Sequence, residues 1–460
     1  MFKPLLIFGF FLVTVGCGSA ALADDQNMAS PPADKAPENA PSDQSSDAVL
    51  EDWSLHAQAT EIYQGYPTFS APYSGTNSLP TQGQWKNTTT ATLFLGRRLW
   101  DGAAVYYDPE LYQGVALNHT LGIAGFPNGE GSKSGSYDIE EGTARLFMRQ
   151  VIGFGGPTEK IEPDQNQLAD VEDVSRLTIT GGIFAATDIF DDNSYSHDPR
   201  TQFLNWSLMD SAAWDYPADA RGYTNGVALE LNQEDWALRY GLFMEPRNPN
   251  ESDLAFRGLD NEGQVVELEE RYNLGDDPGK TRFLVFYNRN RAGNFDDALN
   301  QPGNITTDLI NDRHYGSSKY GAALNMEQQL NNSLGAFARL SWNNGQTEDW
   351  TFTQVDESAA LGISLKGADW GRPDDVVGLA GVVNGISSEQ QKYLERGGLG
   401  LIIGDGQLNY APEAILEAYY DIKIIEFVSL SPDYQLIANP AYNSDRGPVN
   451  IFAVRLHAEY

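Results

Sequence analysis

The segment NIFAVRLHAEY, residues 450–460, alternates between two kinds of side chain. One face carries Phe452, Val454, Leu456, Ala458 and Tyr460, and the other carries Ile451, Ala453, Arg455, His457 and Glu459. Successive side chains of a β-strand point to opposite sides, so the first face is apolar and the second is partly charged. A strand of a transmembrane barrel has this pattern, with its apolar face toward lipid and its polar face toward the lumen. We expect the Tyr460 ring to lie in the aromatic girdle at the periplasmic interface.

The same alternation recurs along the chain. It is clear in 412–422, in 235–243, where Arg239 faces inward, and in 333–343, where Arg339 does. Sixteen such segments lie near 52–63, 87–99, 103–112, 143–154, 176–184, 221–231, 235–243, 265–274, 280–290, 316–329, 333–343, 358–366, 375–385, 412–422, 426–436 and 450–460. Helical periodicity is scarce, and beyond residue 50 no run approaches 18 apolar residues. The sequence therefore predicts an all-β fold: a transmembrane antiparallel β-barrel of about 16 strands.

The connections between these segments alternate in length. Turn-length connections occur at 101–102, 233–234, 275–279, 331–332 and 424–425, and long loops lie near 64–86, 113–142, 185–220, 244–264, 291–315, 344–357, 386–411 and 437–449. A barrel with both termini in the periplasm has short periplasmic turns and long outer loops. The polar connection 155–175 is longer than a periplasmic turn is expected to be.

The N-terminal residues predict export. Residues 1–23 have a signal-peptide pattern, with Lys3, an apolar core and an Ala-Leu-Ala cleavage motif. Cys17 is the one cysteine of the chain and lies in this segment. Residues 24–50 are rich in Pro, Ala, Asp and Ser, so we predict a disordered acidic tether. Residues 51–460 then form the barrel domain.

Composition argues against several other functions. The formal net charge of −34 argues against nucleic acid as a partner. The five histidines are scattered without metal-ligand spacing, and no phosphate-binding loop or nucleophile elbow is present. We therefore predict no cofactor, no metal and no enzymatic activity. Carboxylate pairs are abundant, so a secreted carbohydrate-active enzyme remains the alternative, together with a non-conducting structural or adhesive barrel.

The loop 185–220 is the candidate for narrowing the channel. Sixteen strands leave an aqueous lumen, which a selective pore must constrict. This loop interleaves aromatic residues with carboxylates and arginines, the groups that stack on a sugar ring and bind its hydroxyls. We predict that it folds inward and sets Asp191, Asp198 and Asp215 across from Arg98, Arg145 and Arg149. Further residues predicted to contact the solute or line the pore are Glu110, Arg200, Trp206, Trp214, Arg221 and Arg239.

Two of these assignments have a structural alternative. Trp206 and Trp214 can pack the inserted loop instead of stacking on sugar. Glu110, in the sequence Asp108-Pro109-Glu110, can belong to a turn at a strand end.

Several stretches resemble the carbohydrate-selective outer-membrane porins of Gram-negative bacteria. They are WSLHAQAT (53–60), PYSGTNSL (72–79), DPELYQG (108–114), TLGIAGFPNGE (120–130), HDPRTQFLNW (197–206), DYPADARGYTNG (215–226), EERY (269–272), PEAILEAYY (412–420) and NPAYNSDRGPV (439–449). The resemblance covers most of residues 52–460. It implies a sixteen-stranded barrel in the cell outer membrane through which monosaccharides diffuse, with small carbohydrates and membrane lipid as partners. A monomer and a homo-oligomer such as a trimer both remain open.

Overall fold

The computed structural model describes residues 50–132, 135–301, 309–352 and 354–460, and in these residues sixteen long strands close into one antiparallel barrel. The strands in chain order are β1 (Trp53–Tyr66), β2 (Gln84–Trp100), β3 (Ala103–Val115), β4 (Gly135–Gly153), β5 (Thr158–Ile161), β6 (Asp170–Asp173), β7 (Arg176–Phe184), β8 (Thr224–Asn232), β9 (Trp236–Pro246), β10 (Leu254–Ala255), β11 (Glu262–Leu274), β12 (Asp277–Asn290), β13 (Ser317–Gln329), β14 (Leu334–Asn343), β15 (Glu357–Gly367), β16 (Arg372–Gly385), β17 (Glu413–Ile425), β18 (Val428–Ala438) and β19 (Val449–Glu459). Strands β5 and β6 form a separate hairpin, and β10 is a two-residue extension beside β9.

The barrel closes where the first strand pairs with the last. Strands β1 and β19 are antiparallel, in register from Gln58 opposite Glu459 to Gly65 opposite Phe452. Closure leaves no unpaired sheet edge, which a bilayer does not tolerate. The predicted all-β barrel of sixteen strands is therefore confirmed.

Each predicted segment overlaps one barrel strand. The largest difference is in β4, which begins at Gly135 instead of 143 and pairs there with the end of β3. Residues 135–142 are mostly polar or acidic, and their alternation is limited to Tyr137 and Ile139, so the segment is too short a signal to be identified as strand.

The two faces of the wall are confirmed. In β19, Phe452 and Val454 are exposed on the outer surface, whereas Ile451 and Arg455 are buried. Tyr460 follows with its ring exposed, 5.5 Å from that of Phe427 between centroids.

The helices of the described residues are short. They are α1 (Trp206–Met209), α2 (Phe295–Leu299) and α3 (Ser388–Glu395), with 3-10 turns at Leu117–Thr120, Gly129–Ser132, Ala186–Asp188, Ile310–Asp312, Ala368–Trp370 and Pro440–Tyr442. In this part of the chain no helix has both the length and the apolar character needed to cross a bilayer. The predicted signal peptide, 1–23, and the tether, 24–50, lie outside the described residues except for Leu50.

Much of the lumen is filled by protein. Residues 185–223 run inside the barrel and bury Phe190, Phe203, Leu204 and Leu208 completely. Inward arginines such as Arg339, which an empty aqueous lumen would solvate, are therefore buried against this loop. Their cost of burial is offset because backbone carbonyls of the loop accept their hydrogen bonds.

Candidate functional site

The inward loop 185–223 is held to the wall through its backbone. The Glu417 carboxylate accepts from the amides of Leu204, at 2.5 Å, and Asn205, at 3.0 Å. On the next strand but one, the Arg455 guanidinium donates to the carbonyls of Pro199 and Gln202 at 2.8 and 2.6 Å. Satisfied hydrogen bonds to buried backbone groups contribute to stability, so these contacts hold the loop against the wall.

Two aspartates that we predicted to line the pore are instead anchors of this loop. The Asp191 carboxylate accepts from the amide and the hydroxyl of Ser211, at 2.5 and 2.9 Å, and from the Asn325 side chain. Asp215 accepts from the amides of Trp350 and Thr351 at 2.8 and 2.9 Å. Both side chains are almost fully buried, and neither belongs to the linings of the loop-side and turn-side cavities described below. Their placement across from the wall arginines was therefore a wrong prediction.

The two tryptophans pack the loop. Trp206 is 4% exposed and Trp214 is 2% exposed. Trp206 stacks on Phe126 at 5.0 Å between ring centroids and also contacts Tyr216 and Phe352. Trp206 contributes to the lining of the loop-side cavity described next, whereas Trp214 does not. Packing is therefore the main role of both rings, and Trp214 is not available to a solute.

Two cavities remain open beside strands β1–β4 and β7–β9. The first, which we call the loop-side cavity, has a volume of about 480 Å³ and includes Glu130, Arg221 and Tyr223 in its lining. The second, the turn-side cavity, has a volume of about 280 Å³ and includes Gly102, at the β2–β3 turn, and Arg176.

The two cavities share one set of lining residues, which we call the junction: Arg149, Gln167, Asp188 and Asp192. The cavities therefore follow one another along the lumen. The first lies toward the end of the barrel that carries the long loops, which we call the loop end, and the second toward the end that carries the short turns, which we call the turn end.

The predicted arginines lie along this path, and most are paired with carboxylates. In the loop-side cavity, Arg145 forms two hydrogen bonds with Asp188, and Arg221 pairs with Asp219 at 2.9 Å. In the turn-side cavity, Arg98 pairs with Asp170 at 2.6 Å. Arg239 there contacts three carboxylates, those of Glu230, Glu267 and Glu269, within 3.2 Å.

Arg200, Asp198 and Glu110 form a cluster at the loop-side cavity. The Arg200 guanidinium lies 3.1 Å from Glu130, 3.6 Å from Asp198 and 3.6 Å from Glu110. Burial acts to lower the pKa of Arg200, but Glu130 and Asp198 outweigh it and raise the pKa above its usual value. Glu110 also accepts from the Tyr223 hydroxyl at 3.1 Å, so it is a buried partner of the lining and not part of a turn.

Arg149 differs from the other predicted arginines. Its one hydrogen bond in the described residues is Nη1 to the carbonyl of Asn166, at 3.1 Å. Within those same residues no carboxylate lies within 4.0 Å of it, although it lines both cavities. Its guanidinium also lies over the rings of Tyr106 and Phe147, at 5.4 and 5.6 Å from the ring centroids, where it borders both cavities.

Two junction aspartates were absent from the predicted site. Burial acts to raise the pKa of Asp188, but Arg145 outweighs it and holds the pKa below its usual value. The pKa of Asp192 is also lowered, because His197 and Arg282 outweigh burial. Both are ionised at neutral pH and face the path near Arg149. No feature of the sequence distinguishes Asp188 and Asp192 from Asp191, because all three are aspartates of the same loop.

One side of the loop-side cavity is aromatic. Phe147, Trp206, Tyr216 and Phe352 contribute to its lining. Aromatic faces suit the C–H face of a sugar ring, and the opposite side supplies charged hydrogen-bonding groups. No group of His, Cys, Asp or Glu in the described ranges is arranged to hold a metal ion.

Solved structures with a similar fold are outer-membrane channels. The high-pH structure of Pseudomonas putida OprB aligns with a TM-score of 0.66 at 16% identity, over 89% of this chain and 94% of that chain. The outer-membrane channel DcaP of Acinetobacter baumannii aligns with a TM-score of 0.50 at 10% identity, over 89% of this chain and 97% of that one. No curated protein matches the sequence.

A family comparison extends this result to the sequence itself. Residues 76–460 match the carbohydrate-selective porin, OprB family. The match covers well over half of the chain and includes fifteen of the sixteen barrel strands completely, from β2 to β19. The chain therefore belongs to the OprB family of carbohydrate-selective porins.

Proposed function

We propose that this protein lets small neutral carbohydrates diffuse through the outer membrane along the two cavities and their junction. The observation that carries the proposal is the junction itself, where Arg149 faces the path together with Asp188 and Asp192. Family membership and the barrel fold support an outer-membrane location. Export through the periplasm, and lipid around the barrel, belong to the same proposal. The path lies within one chain, so it needs no second copy, and the number of copies stays open.

A junction with both charges favours a neutral polyhydroxylated solute. A hydroxyl group accepts from the Arg149 guanidinium and donates to a carboxylate, so a sugar interacts favourably with both. A simple ion is attracted by one group and repelled by the other. Each contact must stay weak for the solute to leave again. In a hydrated lumen a charged contact is worth about 1 kcal/mol at 4 Å, which meets that requirement.

Reconstitution tests this proposal directly. Purified protein in liposomes should give faster swelling with monosaccharides than with larger oligosaccharides, and planar bilayers should show a small salt conductance. Addition of a monosaccharide should reduce that conductance by occupying the junction. A folded barrel that gave neither sugar-dependent swelling nor conductance would contradict the proposal and favour a structural barrel.

A matched pair of variants tests the residues. Arg149→Gln removes the guanidinium that faces the path, so monosaccharide flux relative to salt conductance should fall several-fold. Arg247→Gln is the control, because Arg247 pairs with Asp253 on an exposed loop away from both cavities. Equal ratios of monosaccharide flux to salt conductance in the two variants would show that Arg149 does not contact the solute.

A further inference from the structure

The connection between β4 and β7, residues 154–175, folds back into the barrel from the turn end. We call it the turn-side hairpin. Its stem pairs β5 with β6, from Thr158 opposite Asp173 to Ile161 opposite Asp170. Eight residues, 162–169, join the two stem strands, and the last two of these, Leu168 and Ala169, are buried. A periplasmic connection on the outside of the lumen would leave them exposed.

Residues Ala169 and Asp170 of the turn-side hairpin are bound to the barrel wall. Arg98 donates to Asp170 at 2.6 Å and to the Ala169 carbonyl at 3.1 Å. Ala169 and Glu51 exchange two further hydrogen bonds: the Glu51 amide donates to the Ala169 carbonyl, and the Ala169 amide donates to the Glu51 carboxylate. Arg98 is therefore an anchor of this hairpin more than a group of the open path.

The tip extends deep into the lumen. The Asn166 side-chain nitrogen donates to Asp108 at 2.8 Å. Asp108 is the sixth residue of β3, about 20 Å of strand from the β2–β3 turn at 3.3 Å per residue. On the other side, Gln165 donates to Glu459 of the last strand at 2.9 Å. The tip thus contacts strands β3 and β19, which β1 and β2 separate in the barrel wall.

The tip also occupies the junction. Gln167 lines both cavities, and Arg149 donates to the carbonyl of Asn166. Gln167 uses its side-chain nitrogen to donate to the Glu162 carbonyl, which leaves its Oε1 as an acceptor. An uncharged acceptor on Gln167 is therefore present at the junction, which Arg149 also lines.

We propose that the tip of the turn-side hairpin, Gln165–Gln167, forms a second constriction and a hydrogen-bonding subsite for hydroxyl-rich neutral solutes. It narrows the path from the turn end, as loop 185–223 does from the other end. The Gln167 amide oxygen accepts from solute hydroxyls while Arg149 donates to them, so the hairpin contributes to the subsite without adding net charge. The inference rests on the proposed function, because a sugar must pass this point to use the subsite.

Shortening the hairpin tests the constriction. Ile161 and Asp170 are paired, so residues 162–169 can be replaced by Asn-Gly, the preferred two-residue hairpin turn. Salt conductance should rise several-fold, and the preference for monosaccharides over salt should fall. A folded variant with the conductance and sugar flux of the unaltered protein would overturn the proposal.

Chemical modification gives a second test that keeps the backbone intact. In Gln167→Cys, reaction with a bulky methanethiosulfonate reagent should lower monosaccharide flux and conductance several-fold. Lys160→Cys is the matched control, because Lys160 lies exposed on the same hairpin and pairs with Glu162. Its modification should change neither quantity.

The results separate this inference from the proposed function. If the unaltered protein passes no sugar, the proposed function fails. If it passes sugar, but modification at position 167 has the same small effect as at position 160, the hairpin proposal alone fails. This comparison decides the case even if the shortened hairpin does not fold.

Discussion

Asp188 is bound to Arg145 by two parallel hydrogen bonds, one of them 2.7 Å from Nε to Oδ2. The same guanidinium lies 3.6 Å from Asp108, which accepts from Asn166 of the turn-side hairpin. One series of contacts therefore connects loop 185–223 with the turn-side hairpin. The two elements define the path together.

Replacing Arg145 by lysine should loosen the start of loop 185–223. Lysine keeps the charge but cannot form the two-point contact with Asp188. Because the pair is partly buried, we expect a loss of about 1 kcal/mol of stability, with noisier single-channel currents. A double-mutant cycle with Asp188→Asn, followed by thermal unfolding in detergent, measures the coupling. Additive effects of the two changes would show that the pair does not fix the loop.

Replacing Arg455 by methionine should have a larger effect. Its guanidinium is 1% exposed and donates to two loop carbonyls, which the shorter apolar side chain leaves unpaired. The cost should be on the order of 3 kcal/mol, and the midpoint of the heat-induced mobility shift on gels should fall. Arg247→Met, on the exposed loop, is the control. A midpoint equal to that of the control would contradict the anchoring role.

The wall of the barrel was predictable because it depends on a local pattern. In β19 the two-residue period alone assigned Phe452 outward and Arg455 inward, and the structure agrees. Closure followed from the requirement that a membrane sheet has no free edge. The start of β4 was missed because the alternation of Tyr137 and Ile139 with Asp138 and Glu140 is short and stops at Glu141, where the next apolar residue of that face would stand.

The contents of the lumen were predictable only in outline. The inward course of loop 185–223 followed from its composition, but the roles of its aspartates did not. Asp188 borders the path and Asp191 is buried, and this difference depends on which strand residues each one meets. The hairpin at 154–175 was noted as too long for a turn. Its inward fold depends on contacts with Arg98 and Asp108, which are distant in sequence.

Asp210 should make the stability of the protein depend on pH. Its carboxyl is buried, neither oxygen has a hydrogen-bond partner in the described residues, and the Nδ1 atom of His197 lies 3.8 Å from Oδ1. Burial raises the pKa of Asp210 from 3.8 to about 7, although His197 and Arg339 oppose the shift and Asp191 adds to it. The folded state thus holds a proton that the unfolded state releases between these values. This group therefore lowers stability as pH rises from about 4 to 7.

Replacing Asp210 by asparagine removes this dependence. The variant should be more stable than the unaltered protein at pH 8, by on the order of 4 kcal/mol at most, and similar to it at pH 3.5. Thermal unfolding in detergent across this range measures the difference. Asp253→Asn, at an exposed position, should change stability little at either pH. A constant difference between the Asp210 variant and the unaltered protein at all pH values would contradict the titration.

The channel should discriminate weakly between cations and anions, despite the net charge of −34. Selectivity depends on the charges that line the path, because salt screens the rest of the surface beyond about 8 Å at physiological ionic strength. The arginines of the two linings are Arg98, Arg145, Arg149, Arg176, Arg200, Arg221 and Arg239. The carboxylates are Glu130, Asp164, Asp170, Glu172, Asp188, Asp192, Asp198 and Glu230. Seven positive charges against eight negative ones leave the path close to neutral.

This balance can be tested through Arg149, the predicted arginine that faces the path without a carboxylate within 4.0 Å in the described residues. The reversal potential of the unaltered protein in a tenfold KCl gradient should lie near zero, slightly toward cation selectivity. Arg149→Glu changes the local charge by two units at the junction, so the potential should move clearly toward that of a cation-selective pore. The shift should shrink in concentrated salt, because the charge acts through a hydrated lumen. Arg247→Glu makes the same change in net charge on an outer loop and should leave the reversal potential unmoved. Equal potentials for the two variants would mean that ions take a route that avoids the junction.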